Sequence, residues 1–367
     1  MIKISSNKDL RKLNTFGFKV SAARYIEYDK AEDLKEILWS ELPRPVLSVG
    51  EGSNLLFTGN FSGTVLHSGI KGIEVVEDRS GGDDVFVRAG AGVKWDDLCD
   101  WVARKELWGT ENLSAIPGTV GAAPVQNIGA YGVEAGDIID NVECYDIQTG
   151  SYVTLKASGC GFAYRDSYFK HNRGRYVVLY VTFHLYADFR PQLEYAHLKE
   201  EVERNAEMLN PTVDPYKVVY STRFLPELPI TPLLVRQTVK IIREKKLPDP
   251  QKVGSAGSFF KNPVVSREFF LDLEGRIKAE KGSGHEVPHY DLPDGNVKIP
   301  AAWLIESCNL KGFVLRGKAA VWDKQPLVLV NADGNAAPQD ILELEELVRN
   351  KVKETFNIEL SPEVDHI

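Results

Sequence analysis

The sequence predicts an α+β protein built from more than one domain. Three observations predict it: a strand-rich middle, a glycine loop set between two short apolar runs near the N-terminal end, and a long amphipathic helix toward the C-terminal end. At 367 residues the chain exceeds one compact core, and roughly two to three domains are expected.

In chain order, residues 29–39 carry a helix signature: Asp29 as a cap, Glu32 three residues on, and Ala31, Leu34, Ile37 and Leu38 on one face. A short strand over 46–49 runs into Gly50, Glu51, Gly52, Ser53 and Asn54. The apolar run at 55–57 that follows stops at Thr58, Gly59 and Asn60 and is too short for a helix. A strand over 84–89 precedes a helix stripe of Trp95, Leu98, Cys99 and Val102. Residues 142–155 read as a hairpin turning at Gln148, Thr149 and Gly150, and 176–185 as a half-buried strand. From about 191 to 245 the chain is charged and interrupted by proline. Residues 246–250, KLPDP, break it, because successive prolines exclude regular ladders, and a domain boundary is placed there. The last long element, 341–356, repeats Ile341, Leu344, Val348 and Val352 at helical spacing, with Pro338 and Asp340 in its start region. No repeat of 20–50 residues is visible.

Composition narrows the function classes. Apolar residues are 43% and charged residues 26%, as in ordinary globular proteins. A net charge of -8 and a pI near 5.5 argue against nucleic acid as partner, since such proteins present a basic face. The first residues, MIKISSNKDLRKLNTFGF, have no signal-peptide core, and no window approaches the ~20 apolar residues of a membrane span. A cytoplasmic protein without a membrane partner is expected. Cys99, Cys144, Cys160 and Cys308 lack C-x-x-C spacing and should be reduced, mostly buried thiols. The seven histidines show no ligand spacing, so no metal is assigned.

The strongest local anomaly lies at 109–136, where Gly109, Gly118, Gly121, Gly129, Gly132 and Gly136 interleave with Pro117, Pro124, Asn127 and Tyr131. Glycine lets backbone amides approach a ligand closely, and successive amides can cradle a pyrophosphate. Ordinary connecting loops use the same residues. Two such loops, 50–54 and 116–132, shift the balance toward a large anionic ligand. Neither is the G-x-G-x-x-G fingerprint, which needs a helix after the loop. Residues 312–318 match G-x-x-x-x-G-K, but Ala319 stands where magnesium binding needs Ser or Thr, and the apolar Phe313–Leu315 stretch suits a strand. Three further clusters punctuate polar groups with glycine or proline: 164–167 (YRDS), 254–263 (GSAGSFFKNP) and 361–364 (SPEV).

In this order the clusters resemble the UDP-N-acetylenolpyruvoylglucosamine reductase (MurB) family of peptidoglycan synthesis. The resemblance covers nearly the whole chain, through VGEGSNLLF (49–57), IPGTVGAAPVQNIGAYGVE (116–134), YRDSYFK (164–170), KLPDP (246–250), GSAGSFFKNPVV (254–265), WLIESCNLKG (303–312) and SPEV (361–364). It implies a two-lobed FAD-binding unit of the vanillyl-alcohol-oxidase (PCMH-like) type plus a C-terminal α+β substrate-binding domain. The implied boundaries are 1–70 and 71–247 for the lobes, 248–356 for the substrate domain, and 357–367 for a tail returning to the active site. The 191–245 segment with Tyr195 looks like the longer, type I version.

The resemblance further implies non-covalent FAD, NADPH as hydride donor, and a UDP-sugar carrying an enolpyruvyl group that enters the pocket NADP has left. Arg165 and Glu363 would stabilise charge developing on the substrate carboxylate, and Ser258 would protonate its C2. These three side chains are expected to converge over the isoalloxazine ring. Gly50, Gly52, Ser53, Asn54, Gly118, Gly121, Gln126, Asn127, Gly129, Tyr131 and Tyr164 would hold FAD. Tyr195, Lys246, Asn262 and Gln325 would contact the UDP-sugar, with Arg243 and Lys311 as weaker candidates. A monomer is the family expectation. Ala163 and Ala302 replace glycines common in the family, and the sequence runs four residues past Glu363, so a longer tail's substrate contacts are expected to be missing. Two rivals remain: another FAD-dependent oxidoreductase on the same fold, and a non-catalytic nucleotide-sugar-binding protein.

Overall fold

The computed structural model describes residues 2–76, 82–195, 197–209 and 230–367. Two compact units result: Met1–Lys8, Ala22–Glu51 and Ser62–Arg243 form the first, and Asp9–Ser21, Gly52–Phe61 and Glu244–Ile367 the second.

The first unit holds two sheets. One has the order Lys3–Asp9, Ser21–Tyr28, Phe61–Ser68, Val46–Ser48, its last pair parallel. The other is antiparallel, with the order Ser151–Lys156, Ile139–Asp146, Tyr176–Tyr186, Asp84–Gly90, Ile73–Val75. The Tyr176–Tyr186 strand explains its own apolar run. Val177 and Leu179 join a core with Ile26, Tyr28 and Leu66 of the first sheet, whereas Val178, Val181 and Phe183 join one with Trp95, Leu98 and Val120. A strand buried on both faces has no polar alternation to show. The expected hairpin forms as Ile139–Asp146 against Ser151–Lys156, with Gly150 at φ +68° in the turn. The Trp95–Arg104 helix buries Trp95, Leu98, Cys99 and Val102, the four residues of the expected stripe.

One expectation needs correction here, and one segment the sequence left undescribed gains structure. Residues 29–39 do not form an α-helix: a 3-10 turn spans Glu32–Glu36 and another Trp39–Glu41, and the Asp33 carboxylate accepts from the amides of Asp29 and Lys30. Leu34 and Ile37 are buried but Leu38 is exposed, as a stripe interrupted by 3-10 geometry allows. The charged 191–245 region contains two helices, Leu198–Leu209 and Pro232–Lys246; residues 196 and 210–229 of that segment lie outside the described residues. Pro232 sits in the first turn, where its missing N–H costs nothing. The two helices share a core of Leu198, Val202, Ala206, Leu234, Val235 and Val239 with Trp108. Arg236, almost fully buried, reaches from the second of them to Asp96 at 2.5 Å and Asp100 at 3.3 Å on the Trp95–Arg104 helix.

The second unit centres on an antiparallel sheet of order Gly254–Ser258, Val328–Asn331, Ala319–Val321, Val314–Leu315, packed against the Pro338–Phe356 helix. That helix buries Ile341, Leu344, Val348 and Val352 as their spacing predicts, with Pro in its first turn and Asn357 closing it at φ +57°. The Val314–Leu315 strand turns through Arg316 and Gly317, both at positive φ, into Ala319. The G-x-x-x-x-G-K spacing therefore belongs to a hairpin. Val264–Val265, Val297–Lys298 and Tyr290–Asp291 form a small separate sheet.

Candidate functional site

In the first unit, Gly50 lies so close to Thr119 that a Cβ would stand 2.5 Å from its Oγ1. The neighbouring Glu51 carboxylate accepts from the Gly118 amide at 2.8 Å and pairs with Lys94 at 3.5 Å. Glu51 escaped the sequence reading although it lies inside the first glycine block, because its partners are 43 and more residues away. Gly121 donates to Ala91 O at 2.9 Å, and a Cβ there would meet the Ala91 Cβ at 2.7 Å. These glycines are required by close approach of protein to protein, which shapes the loop.

Asn127 is 1% exposed, at φ +46°. Its side chain donates to Glu134 at 2.6 Å and Ala163 O at 3.1 Å and accepts from the Gly136 amide at 2.7 Å, so it staples the loop together. Its own backbone amide meets no acceptor among the described residues, and neither do the amides of Gly50 and Glu51. Buried amides are rarely left so. Loop amides of this kind suit an anionic group such as a pyrophosphate, and in that respect the residues present fit FAD. Gln126 is half-buried beside Asn127.

Arg165 sits at φ +55°, where a residue with a Cβ is strained. Reciprocal backbone bonds between Ala163 and Asp166, at 3.1 and 3.0 Å, close the turn around it. The positive φ falls on Arg165 and not on 163, so Ala163 replaces a glycine there without strain. The guanidinium donates to Gly129 O at 2.8 Å and Asn127 O at 3.4 Å, and lies 5.4 Å from the Tyr164 ring centroid. A Cβ on Gly129 would stand 2.8 Å from its Nη1. Tyr131, at φ +49°, meets Tyr195 edge to face at 6.1 Å. Asn112, absent from the sequence reading and fully buried, donates to Tyr131 O and Gln192 O and so ties those two segments together.

Arg243 donates to Ala115 O at 3.3 Å and has no carboxylate within ion-pair distance among the described residues. Burial pushes its pKa below the ordinary guanidinium value and the charge of Arg165 adds to that, while Tyr131 and Asp96 act the other way. A partly buried cation with no carboxylate within ion-pair distance suits an anion.

In the second unit, Gly52 is buried at φ +66°, and a Cβ there would meet Leu13 O at 1.9 Å. Its carbonyl accepts from the Thr15 amide, and its amide meets no acceptor among the described residues. Ser53 follows, half-buried. Asn54 donates its side-chain N–H to Glu363 O at 3.2 Å, and Asn54 O accepts from the Asp365 amide at 3.0 Å. On the other side of the same tail, Glu363 donates its amide to Phe259 O at 2.7 Å, and Lys261 donates to Ser361 O at 2.9 Å. Thus the segment 361–367 lies between residues 54–58 and residues 259–261. Residues 52–54 of the first glycine loop, Ser258 and Glu363, far apart in sequence, belong to one unit, and the tail's backbone bonds to Asn54 on one side and to Phe259, next to Ser258, on the other. Ser258 is half-buried and Glu363 9% exposed. Arg165 belongs to the first unit.

The other expected substrate contacts are spread over the second unit. Lys246 is exposed, its carbonyl held by the Trp322 indole N–H at 3.1 Å. The Asn262 side-chain oxygen accepts from the Ala301 amide at 2.9 Å, at the start of the Ala301–Ser307 helix, so only its amide NH2 remains for a ligand. Ala302 is an ordinary helical residue there. Lys311 pairs with Glu306 at 2.7 Å, and the Gln325 oxygen accepts from the Leu327 amide at 3.4 Å. No cluster of three metal-ligating side chains exists among the described residues, and no described helix is long and apolar enough to cross a membrane.

Comparison with known proteins gives this arrangement its context. Residues 249–367 match the family described as UDP-N-acetylenolpyruvoylglucosamine reductase, C-terminal domain, and residues 22–156 match the FAD binding domain family. A UDP-N-acetylenolpyruvoylglucosamine reductase of Bacteroides fragilis is 43% identical over 96% of this chain and 97% of its own length. One from Neisseria gonorrhoeae is 42% identical over 99% and 97%. A crystal structure of the MurB reductase from Thermus caldophilus superposes with a TM-score of 0.62 at 22% identity, over 100% of this chain and 98% of that one, which shows a shared α+β fold. Identity above 40% across nearly the whole of both sequences leaves one conclusion: this chain belongs to the UDP-N-acetylenolpyruvoylglucosamine reductase family.

Proposed function

We propose that this protein is a UDP-N-acetylmuramate dehydrogenase, reducing the enolpyruvyl group of UDP-N-acetylglucosamine enolpyruvate with NADPH in peptidoglycan synthesis. The observation that carries the reading is the seating of the tail, which bonds Glu363 to the residue after Ser258. FAD, held by the glycine loops, would supply the hydride-transfer chemistry between NADPH and C3 of the enolpyruvyl group. The chain's own residues do the rest. Gly50, Gly52, Ser53 and Asn54 hold the cofactor, together with Gly118, Gly121, Gln126, Asn127, Gly129, Tyr131 and Tyr164. Arg165 carries a permanent charge to the substrate carboxylate, where negative charge grows during reduction. Glu363 is the carboxyl group assigned to the same developing charge. Ser258 Oγ gives its proton to C2, which completes saturation of the double bond. A neutral alcohol suffices because the carbanion-like carbon is far more basic than ordinary acceptors.

For the UDP-sugar, the uncompensated guanidinium of Arg243 and the exposed ammonium of Lys246 suit phosphate oxygens, the latter as a point charge. Tyr195, Asn262, Lys311 and Gln325 complete the contacts. Residues 1–70 and 71–247 are the FAD lobes, 248–356 the substrate domain and 357–367 the returning tail. The protein works in the cytoplasm, where its nucleotide substrates are made, as a monomer and without nucleic acid or membrane.

Ser258→Ala tests the chemistry. Flavin bleaching by NADPH stays within about twofold of wild type, whereas reoxidation by the enolpyruvyl UDP-sugar slows by ~10³-fold, in the range of a lost proton donor. Unchanged reoxidation removes Ser258 from that role. An oxidase would instead reoxidise rapidly in air without the UDP-sugar.

A further inference from the structure

We propose that His366 and Glu345 form a positioning pair that sets the register of the C-terminal strand and so aims the Glu363 carboxyl group. The inference rests on the role given to Glu363 above and concerns two residues outside every motif quoted for the family.

Residues 361–367 are held mainly by backbone. Ser361 O and the Glu363 amide bond to residues 261 and 259 on one side. On the other, the Asp365 and Ile367 amides donate to Asn54 O and Leu56 O, and Asp365–His366 pairs in parallel with Leu55–Leu56. Such a ladder is nearly blind to sequence. A slip of two residues of Asp365–His366 along Leu55–Leu56 would re-form those bonds and carry the preceding Glu363 about 7 Å along. Side chains must therefore fix the register.

Alternation assigns that task. The strand itself is only Asp365–His366, whose two side chains point to opposite faces, and Glu363 and Val364 lie in the bend just before it. Val364 is buried. His366 Nε2 lies 2.7 Å from Oε2 of Glu345, and its ring meets Phe259 edge-on at 6.0 Å. Glu345, on the Pro338–Phe356 helix, has a side chain only 7% exposed, and its other charged neighbour is Arg349 at 3.8 Å. A carboxylate this buried demands its hydrogen-bond donor. The contact is thus specific in a way the ladder is not. Phe259 adds a second link, since its carbonyl receives the Glu363 amide while its ring touches His366. The charged groups lining the cleft around this pair are Glu346, Arg349, Lys353 and Glu359.

The test uses full-length, FAD-loaded enzyme carrying His366→Ala, His366→Gln, Glu363→Gln, or His366→Ala with Glu363→Gln. Flavin reduction by NADPH, reoxidation by the enolpyruvyl UDP-sugar, and hydrogen exchange of the tail amides are followed separately. His366→Ala is expected to slow reoxidation on the order of tenfold, a loss of aim and not of chemistry. It leaves reduction by NADPH unchanged and speeds exchange at Glu363 and Asp365. His366→Gln, which keeps an N–H donor, restores most of the rate. The double variant is no slower than Glu363→Gln alone, because His366 acts through that carboxyl group. If His366→Ala reoxidises normally while Glu363→Gln is slow, the pair is overturned and the reading of Glu363 survives. A normal rate in Glu363→Gln sinks both. Equal losses in the two half-reactions, or multiplicative losses in the double variant, reduce His366 to a structural contact and overturn the proposal.

Discussion

Two kinds of residue carry the site, and they differ in what their replacement should do. Gly52 combines φ +66° with a carbonyl 1.9 Å from where a Cβ would sit. Gly52→Ala must therefore move the backbone of Leu13 or of the loop, and a loss of about 1–3 kcal/mol is expected from conformational strain alone. Thermal denaturation and the fraction of flavin retained on purification measure it; an unchanged melting temperature with full flavin content contradicts it. Arg243 behaves in the opposite way. Its guanidinium is partly buried and has no carboxylate within ion-pair distance among the described residues, so Arg243→Ala breaks no ion pair and should leave stability little changed. The same change removes the anion's partner, and KM for the UDP-sugar should rise by about tenfold or more with kcat less affected, as for an interaction made equally in ground and transition states. A fall in stability with unaltered KM would show that Arg243 is structural.

At the level of elements, the helix the sequence failed to announce makes the most specific contacts. Pro232–Lys246 sends Arg236 into a site where it bonds the Asp96 carboxylate through two nitrogens, at 2.5 and 3.1 Å, and Asp100 at 3.3 Å. Asp96 also accepts from the Ala115 amide, on the segment that leads into the second glycine loop. Burial opposes ionisation of Asp96, but its bonds to Arg236 and Ala115 outweigh that and hold its pKa below the usual carboxylate value. Arg236→Ala strips these bonds from carboxylates that are about a third exposed and can rehydrate. The expected cost is accordingly about 1–2 kcal/mol and not the full penalty of an orphaned buried charge. A denaturant midpoint equal to wild type would refute it. Polar, Pro-interrupted sequence hid this helix because its apolar face is narrow and its strongest anchor is a charge. The 29–39 segment erred the other way: a cap residue and an apolar stripe promised a helix, but the Asp33 side chain bonds the amides of Asp29 and Lys30 and the chain settles into 3-10 turns.

For the whole molecule, the glycine loops leave amides without a protein acceptor among the described residues, and a bound cofactor that takes them up stabilises the folded state. Removing FAD should lower stability by about 2.7 kcal/mol relative to protein held at a hundredfold excess of cofactor over Kd. Calorimetry with and without added FAD checks this, and a melting temperature independent of FAD would contradict it. Several elements were legible because their burial is one-sided or uninterrupted: the Trp95–Arg104 and Pro338–Phe356 helices and the Ile139–Lys156 hairpin follow from apolar spacing and a turn glycine. The glycine blocks stood out because close backbone approach and positive φ restrict residue type locally, whereas the YRDS, GSAGSFFKNP and SPEV clusters, each weak alone, took on meaning only in order, through the family resemblance. What sequence could not supply is partnership. Only tertiary structure shows that Glu51 holds Gly118, that Asn127 staples its own loop, that the tail seats Glu363 beside Phe259, and that Glu345 receives His366. Local propensity fixes what a segment can become, whereas a hydrogen bond or ion pair between residues tens or hundreds of positions apart leaves no periodic trace in the chain and exists only once the backbone has brought its two ends together.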